Sequence, residues 1–314
     1  MSVTGVQTCA LPICGLIRAR GGHCAGQRAG DRAEMMSASD LIHQLKWAAD
    51  GLAVPLFKLR PRPFGPGYQT VKRDTITAAI DAGLLQTGNE LPPGYGVAMD
   101  ERVVEYPWVY GRLTNVGKML DAGSTFNHDF LLQRAPLRGA DLTIMTLAPE
   151  RRCYWRDGYS YMFGDLRKTM FGDHVFDTVA SISTIEHIGL DNQMLYTGDP
   201  RDAETDRDGF VPAVKEFKRI LKPGGTCLIS VPFGKRDNLG WYQVFDLAMI
   251  ERIIEAFGAA SHQVDYFGYS RQGWSRQSAE ALADATVFDV HTGKGQGDDL
   301  AASSRAIACL QLTA

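Results

Sequence analysis

Apolar residues along this chain follow two periods. From Val103 onward, short apolar runs alternate with segments of helical spacing. The runs at 117–122, 142–147, 159–163, 176–183, 226–231, 263–267 and 306–312 are five to eight residues long, which reads as buried strands. Between them, 209–221 sets Val211, Val214, Phe217 and Ile220/Leu221 on one helical face. Residues 247–257 do the same with Met249, Ile250, Ile253, Ile254 and Phe257; both segments predict amphipathic helices. Asp208 is the expected cap of the first, and Gly224-Gly225 its expected end. Residues 104–113 predict a short helix broken near Pro107, and 126–133 a helical turn or short helix. A long polar insertion separates the last two strands. Strands alternating with helices predict a doubly wound α/β sheet, mostly parallel and covered on both faces.

Before Val103 the pattern is looser. Residues 39–52 carry Leu41, Ile42, Leu45, Trp47 and Leu52 at helical spacing. The stretch 55–67 holds Pro55, Pro61, Pro63 and Pro66, which argues against regular helix there. Residues 75–85 predict a short helix ending at Gly83. The expected organisation is an accessory helical and loop segment over 36–102 and one domain over 103–314. Residues 1–35 are set apart as an artefact or a disordered segment. Their run VTGVQTCALPI (3–13) looks like the translation of a common sequencing-library adapter. The alternative is a basic arm or transit peptide.

Composition narrows the function classes. The chain has 314 residues, 45% apolar content and a net charge of −3. That balance gives no reason to expect nucleic-acid or membrane partners, and no apolar run approaches the ~20 residues that span a bilayer. Cys153, Cys227 and Cys309 are widely spaced and form neither a zinc pattern nor a disulfide framework, so a reducing cytoplasm is the expected location. The acidic run Asp191, Asp199, Asp202, Glu204, Asp206, Asp208 is interleaved with Arg201 and Arg207. It lacks the spacing of a calcium loop and reads as a solvated lid, so no metal is expected.

The chemistry-bearing residues gather at strand ends. Met119-Leu120-Asp121-Ala122-Gly123-Ser124 closes the first strand. Ligands of doubly wound sheets sit at such carboxyl ends; Gly123 allows close backbone approach, and Asp121 offers an acceptor to a cationic amine. Gly164-Asp165-Leu166-Arg167 follows the third strand, and Ser183-Thr184-Ile185-Glu186-His187 the fourth. His187 is the natural proton acceptor, because an unperturbed imidazole titrates near neutrality.

Taken in order with Leu221-Lys222-Pro223-Gly224-Gly225, these segments resemble the class I S-adenosylmethionine-dependent methyltransferases over about residues 103–314. The resemblance implies a Rossmann-like sheet of seven strands with the last antiparallel, S-adenosyl-L-methionine as cofactor, and methyl transfer as the reaction. It implies cofactor contacts from Asp121, Gly123, Ser124, Ser183 and Glu186. The Asp165 carboxylate and the Leu166 N–H would serve adenine. Relatives bind the ribose hydroxyls with an acidic residue at the end of the second strand; here Thr146 and Leu147 stand there, and Glu150 is the nearest carboxylate. Glu150 takes that role or is a solvated loop residue. His187 is the catalytic candidate, as base or as a neighbour of cofactor and substrate. The aromatics Trp241, Tyr242 and those of 266–269 line the acceptor site or pack the sheet edge.

Val104-Glu105-Tyr106-Pro107-Trp108 and the run 183–192 look like a bacterial methyltransferase group tied to cell-surface glycans, which implies a small-molecule or sugar-type acceptor. The alternative is a non-catalytic, methyltransferase-like binding protein, favoured by the thinned glycine run. A dinucleotide-binding oxidoreductase is disfavoured, since no G-x-G-x-x-G follows the first strand.

Overall fold

The structure, a computed structural model, describes residues 38–86, 88–114, 116–150, 152–195 and 198–314. The segment 1–35 set apart above lies outside the described residues. Four helices come first: α1 (Ala38–Leu52), α2 (Val54–Leu59), α3 (Tyr68–Asp81) and α4 (Arg102–Tyr110). The sheet then opens with β1 (Lys118–Ala122), a short α5 (Asp129–Leu132), β2 (Asp141–Thr146), β3 (Ser160–Phe163) and β4 (Phe176–Ile182). After α6 (Phe210–Ile220) come β5 (Leu221–Pro232), the small hairpin β6 (Asp237–Asn238) and β7 (Gln243–Val244), and α7 (Leu247–Phe257). The chain ends with β8 (Ser261–Ser270), β9 (Gly273–Gln277), a short α8 (Ala279–Leu282) and β10 (Ala306–Thr313).

The main sheet has eight strands in the order β3-β2-β1-β4-β5-β10-β8-β9. β1, β2, β3, β4 and β5 pair in parallel, whereas β10 is antiparallel to both β5 and β8. The seven expected strands are all present. The eighth, β9, arises because β8 turns back at Arg271-Gln272 and pairs antiparallel with it. It occupies the start of the stretch read as a polar insertion.

Alternation along the strands covers both faces. Met119, Ile144, Leu228, Ile307 and Cys309 point to the core built with α3 and α4. Their neighbours Leu120, Met145, Ile229, Ala308 and Leu310 point to the core built with α6 and α7. A period of two that is apolar at every position is what a doubly covered sheet requires.

Several local expectations are corrected. Pro55 does not prevent α2, because it stands in the first turn, where the missing N–H has no helical acceptor anyway. Pro107 lies inside α4 without breaking it. The Val103 carbonyl that Pro107 cannot reach accepts instead from the Tyr95 hydroxyl at 2.5 Å, which answers the usual objection to an internal proline. α3 starts seven residues earlier than 75, since both oxygens of Asp50 accept from its first-turn amides, Gly67 at 2.8 Å and Thr70 at 2.7 Å. Asp208 does not cap α6; its carboxylate pairs with Arg252 at 2.8 Å, and Gly209 holds the cap position. The Lys222–Gly225 turn is absorbed into β5 as an irregularity in its pairing with β4.

Candidate functional site

The carboxyl ends of β1 and β4 meet under α3 and α4, and a cavity of about 890 Å³ opens between them. Its walls come from three places. Gly123, Ser183, Glu186 and His187 belong to the strand ends; Lys72, Asp100, Glu101 and Arg102 belong to the accessory segment; Trp241 and Tyr242 belong to the loop around β7. The accessory segment thus forms the roof of the site, and its volume lies within the ~300–1,000 Å³ typical of small-molecule sites.

The turn after β1 is tightly determined. The Asp121 carboxylate is fully buried and accepts from the amides of Thr125 (3.0 Å) and Phe126 (2.8 Å). Burial still pushes its carboxyl up to about 7. Asp121 therefore shapes the loop from beneath and does not line the cavity. Gly123 has φ +128°, and a Cβ there would sit 2.0 Å from the Thr184 hydroxyl. The β1 and β4 loops touch at this point, with no room for a side chain. The Ile182 carbonyl accepts from both Thr125 (2.9 Å) and Thr184 (3.0 Å), which ties the two loops together.

Glu150 returns toward this turn although six residues of chain separate it from the middle of β2. Its Oε2 accepts from the Asn127 side chain, and Asn127 also accepts from the Tyr161 hydroxyl at 2.7 Å. Burial pushes the Glu150 carboxyl up against the opposing hydrogen bonds of Ser124 and Asn127. Its Oε1 is buried without a geometrically sound partner, as is the Ser124 hydroxyl; the two groups are close but poorly aligned. Asp165 is placed differently. Arg167 grips its carboxylate at 2.7 Å and bridges to Glu204 at 2.5 Å, which holds the Asp165 carboxyl below its ordinary range despite burial. Leu166 beside it is buried. Ser124, Glu150, Asp165 and Leu166 are not among the residues that line the cavity.

Glu186 and His187 stand side by side with opposite perturbations. Glu186 is 2% exposed, and its Oε2 has no partner. Burial raises its carboxyl well above the ordinary range, and Glu105 adds to the rise. His187 stacks on Trp241, with ring centroids 5.3 Å apart, and its Nδ1 lies 2.9 Å from the Trp241 carbonyl. A carbonyl only accepts, so Nδ1 carries the proton and Nε2 keeps its lone pair. Burial lowers the imidazole to about 4. Burial thus favours the protonated form of Glu186 and the neutral form of His187, which leaves His187 an uncharged acceptor at neutral pH.

Two residues escaped the sequence reading. Glu105 is fully buried in α4. Its Oε1 accepts from Ser183 and Ser230, each at 2.6 Å, and its Oε2 from Arg102 at 2.6 Å. It joins the roof to the ends of β4 and β5. Glu101, one turn earlier, lines the cavity with a buried Oε2 that has no partner. The only signal was the Val104–Trp108 run, which contains Glu105 but stops short of Glu101. The acidic loop holds ion pairs, Asp199 with Arg201 at 2.5 Å and Glu204 with Arg167, and no metal-binding group occurs among the described residues. Among them, too, no helix is long and apolar enough to cross a membrane.

Residues 120–229 match a family model described as a methyltransferase domain, about a third of the chain. No curated protein matches. Among solved structures, the chain is similar to the 1,6-didemethyltoxoflavin N1-methyltransferase of Burkholderia thailandensis, bound to its substrate and S-adenosylhomocysteine, at 11% identity over 91% of this chain and 93% of that one, with a TM-score of 0.41. The N-methyltransferase NodS of Bradyrhizobium japonicum with S-adenosylhomocysteine gives 12% identity over 86% and 96%, TM-score 0.38. A phosphoethanolamine N-methyltransferase of Haemonchus contortus gives 16% over 63% and 50%, TM-score 0.40. The matched stretch contains β2, β3, β4 and the carboxyl end of β1, so the part of this Rossmann-like sheet that carries the ligand-facing strand ends is similar to a methyltransferase domain.

Proposed function

We propose that the protein transfers the methyl group of S-adenosyl-L-methionine to a small molecule held under the α3–α4 roof. The observation that carries this is the buried Glu150 Oε1 beside the Gly123-Ser124 turn, which only the poorly aligned Ser124 hydroxyl approaches. A buried acceptor without a well-aligned donor is costly, and a ribose diol supplies two donors. The residues present fit the cofactor there. Gly123 gives the close approach, Ser183 and Glu186 stand by its amino-acid part, and Glu150 and Ser124, which lie behind the cavity wall, would turn toward the ribose when it binds. Asp165 is gripped by Arg167, and its adenine role requires that its oxygens accept a further bond beside the guanidinium.

When bound, the cofactor supplies a methyl carbon on a sulfonium, which departs as a neutral thioether. The chain's own contribution is alignment, exclusion of water by the roof, and a place for the acceptor's proton. His187 Nε2 is the uncharged acceptor for that proton. The sequence resemblance favours a sugar or nucleotide sugar as acceptor.

The test is incubation of the full chain with methyl-tritiated S-adenosyl-L-methionine and a small-molecule extract. Protein-dependent label in the small-molecule fraction is expected, and it should fall at least tenfold in Glu150→Ala. Tight S-adenosylhomocysteine binding with no label transfer would replace this reading with the non-catalytic one.

A further inference from the structure

The charges that face the cavity do not cancel at one place. Lys72 pairs with Asp100 at 2.6 Å, and Arg102 pairs with Glu105 at 2.6 Å. His187 is uncharged. Arg73, Asp129 and Arg152 also line the cavity, but among its charged residues Glu101 from the roof and Glu186 from the β4 loop each keep a buried oxygen with no hydrogen-bond partner among the described residues. Glu186 is 2% exposed and still lines the cavity. Glu186 feels the charge of Glu101, and both feel Glu105 and Arg102, so they share one neighbourhood. The Trp241 and Tyr242 rings close its other side. Two carboxylates beside aromatic faces are what a cationic nitrogen seeks.

Resting on the methyltransferase reading, we infer that the acceptor carries an amine, as an amino sugar does, which docks as an ammonium between Glu101 and Glu186. The ammonium gives up one proton to His187 Nε2 before its nitrogen lone pair takes the methyl group and the methyl–sulfur bond breaks to leave the neutral thioether. Glu101 stands on the accessory segment, outside the stretch that matches the methyltransferase domain, which puts it on the acceptor side of the cavity, while Glu186 stands where that side meets the cofactor's amino-acid part. Without the ligand, burial together with Asp100 and Glu105 pushes the Glu101 carboxyl up to about 7, and Glu186 is raised as well. Arg102 opposes both rises, and neutral His187 adds no charge. An arriving ammonium favours the ionised carboxylates, so binding releases protons near pH 6. Affinity then rises with pH through about 7, until the amine itself loses its charge.

The experiment is calorimetric titration of benzylamine, and of its neutral isostere benzyl alcohol, into the full chain saturated with S-adenosylhomocysteine. Runs at pH 6 and pH 8 in buffers of different ionisation heat count the protons released. Benzylamine should bind at least tenfold more tightly than benzyl alcohol, with proton release at pH 6. Glu101→Gln and Glu186→Gln should each remove at least tenfold of that preference, with melting temperatures confirming that the variants fold. Equal binding of amine and alcohol by the unaltered protein overturns the inference without relying on any variant. So does loss of S-adenosylhomocysteine binding in both variants with benzylamine binding intact, which would assign the pair to the cofactor's own ammonium. If S-adenosylhomocysteine binds and the amine does not, only the amine inference fails. If S-adenosylhomocysteine does not bind at all, the methyltransferase reading fails first.

Discussion

Removing the Glu105 carboxylate should loosen the roof from the sheet by a predictable amount. Both serine hydroxyls, Ser183 and Ser230, donate to its Oε1, while Arg102 donates to Oε2. Glu105→Gln keeps an oxygen for the serines but turns an NH2 toward the Arg102 guanidinium. It loses one charged hydrogen bond, about 1.5–3 kcal/mol. Glu105→Ala removes all three bonds, strands two hydroxyls and leaves Arg102 without its partner. Adding three charged bonds would overcount, because the arginine is a quarter exposed and water can reach it. The cost of breaking a buried pair, about 3–5 kcal/mol, is the better figure. Equilibrium urea unfolding, followed by the fluorescence of buried Trp108 one turn away, measures both variants. The alanine should cost more than the glutamine by about 1–2 kcal/mol, the share of the two serines, estimated from ordinary buried hydrogen bonds. An alanine variant within ~1 kcal/mol of the parent, at unchanged denaturant slope, would refute the claim that Glu105 fastens α4 to β4 and β5.

Other predictions follow from the same geometry. Gly123→Ala combines an unfavourable φ with a 2.0 Å approach to Thr184 and should cost about 2–5 kcal/mol in urea unfolding; a neutral result would mean that the β1 and β4 loops do not touch there. Tyr95→Phe removes the hydroxyl that donates to the Val103 carbonyl left open by Pro107, and should cost about 1 kcal/mol with reduced amide protection in α4. Glu101 and Asp121 hold their protons up to about 7 in the folded, ligand-free protein. The folded state therefore binds more protons than the unfolded one between roughly pH 4 and pH 7. That contribution is complete below pH 4 and lost as pH rises through 7. The melting temperature should fall between pH 5.5 and pH 8, and Glu101→Gln, which mimics the neutral acid, should flatten the fall.

The sheet was legible because buried strands announce themselves as apolar runs punctuated by turn residues. β1, β2, β3, β4, β5, β8 and β10 each coincide with such a run. β9 was not, since Gly273-Trp274-Ser275-Arg276-Gln277 carries one large apolar residue and mixes polar groups that pair with Asp265 and neighbouring strands. The accessory helices were half legible. Pro55 and Pro107 pointed against helix, and only tertiary facts overruled them: a first-turn position and a tyrosine hydroxyl. Asp50 as a cap for α3 acts across seventeen residues or more, beyond any local pattern. At the site, Gly123, Ser183, Glu186 and His187 were found from strand-end logic and do line the cavity. Asp121 was found for the same reason, yet its carboxylate is spent on the loop's own amides. Glu101 and Glu105 were missed because a buried acid in a helix looks, in sequence, like any exposed one. Their meaning depends on which strands the helix lies across.

Cofactor binding is the property from which the proposed activity follows most directly. Calorimetric titration of S-adenosylhomocysteine into the full chain should show micromolar affinity, and Glu150→Ala should weaken it at least tenfold while the protein stays folded. A folded protein that binds no S-adenosylhomocysteine would contradict the central claim, and unchanged affinity in Glu150→Ala would remove the Glu150 carboxylate as its support.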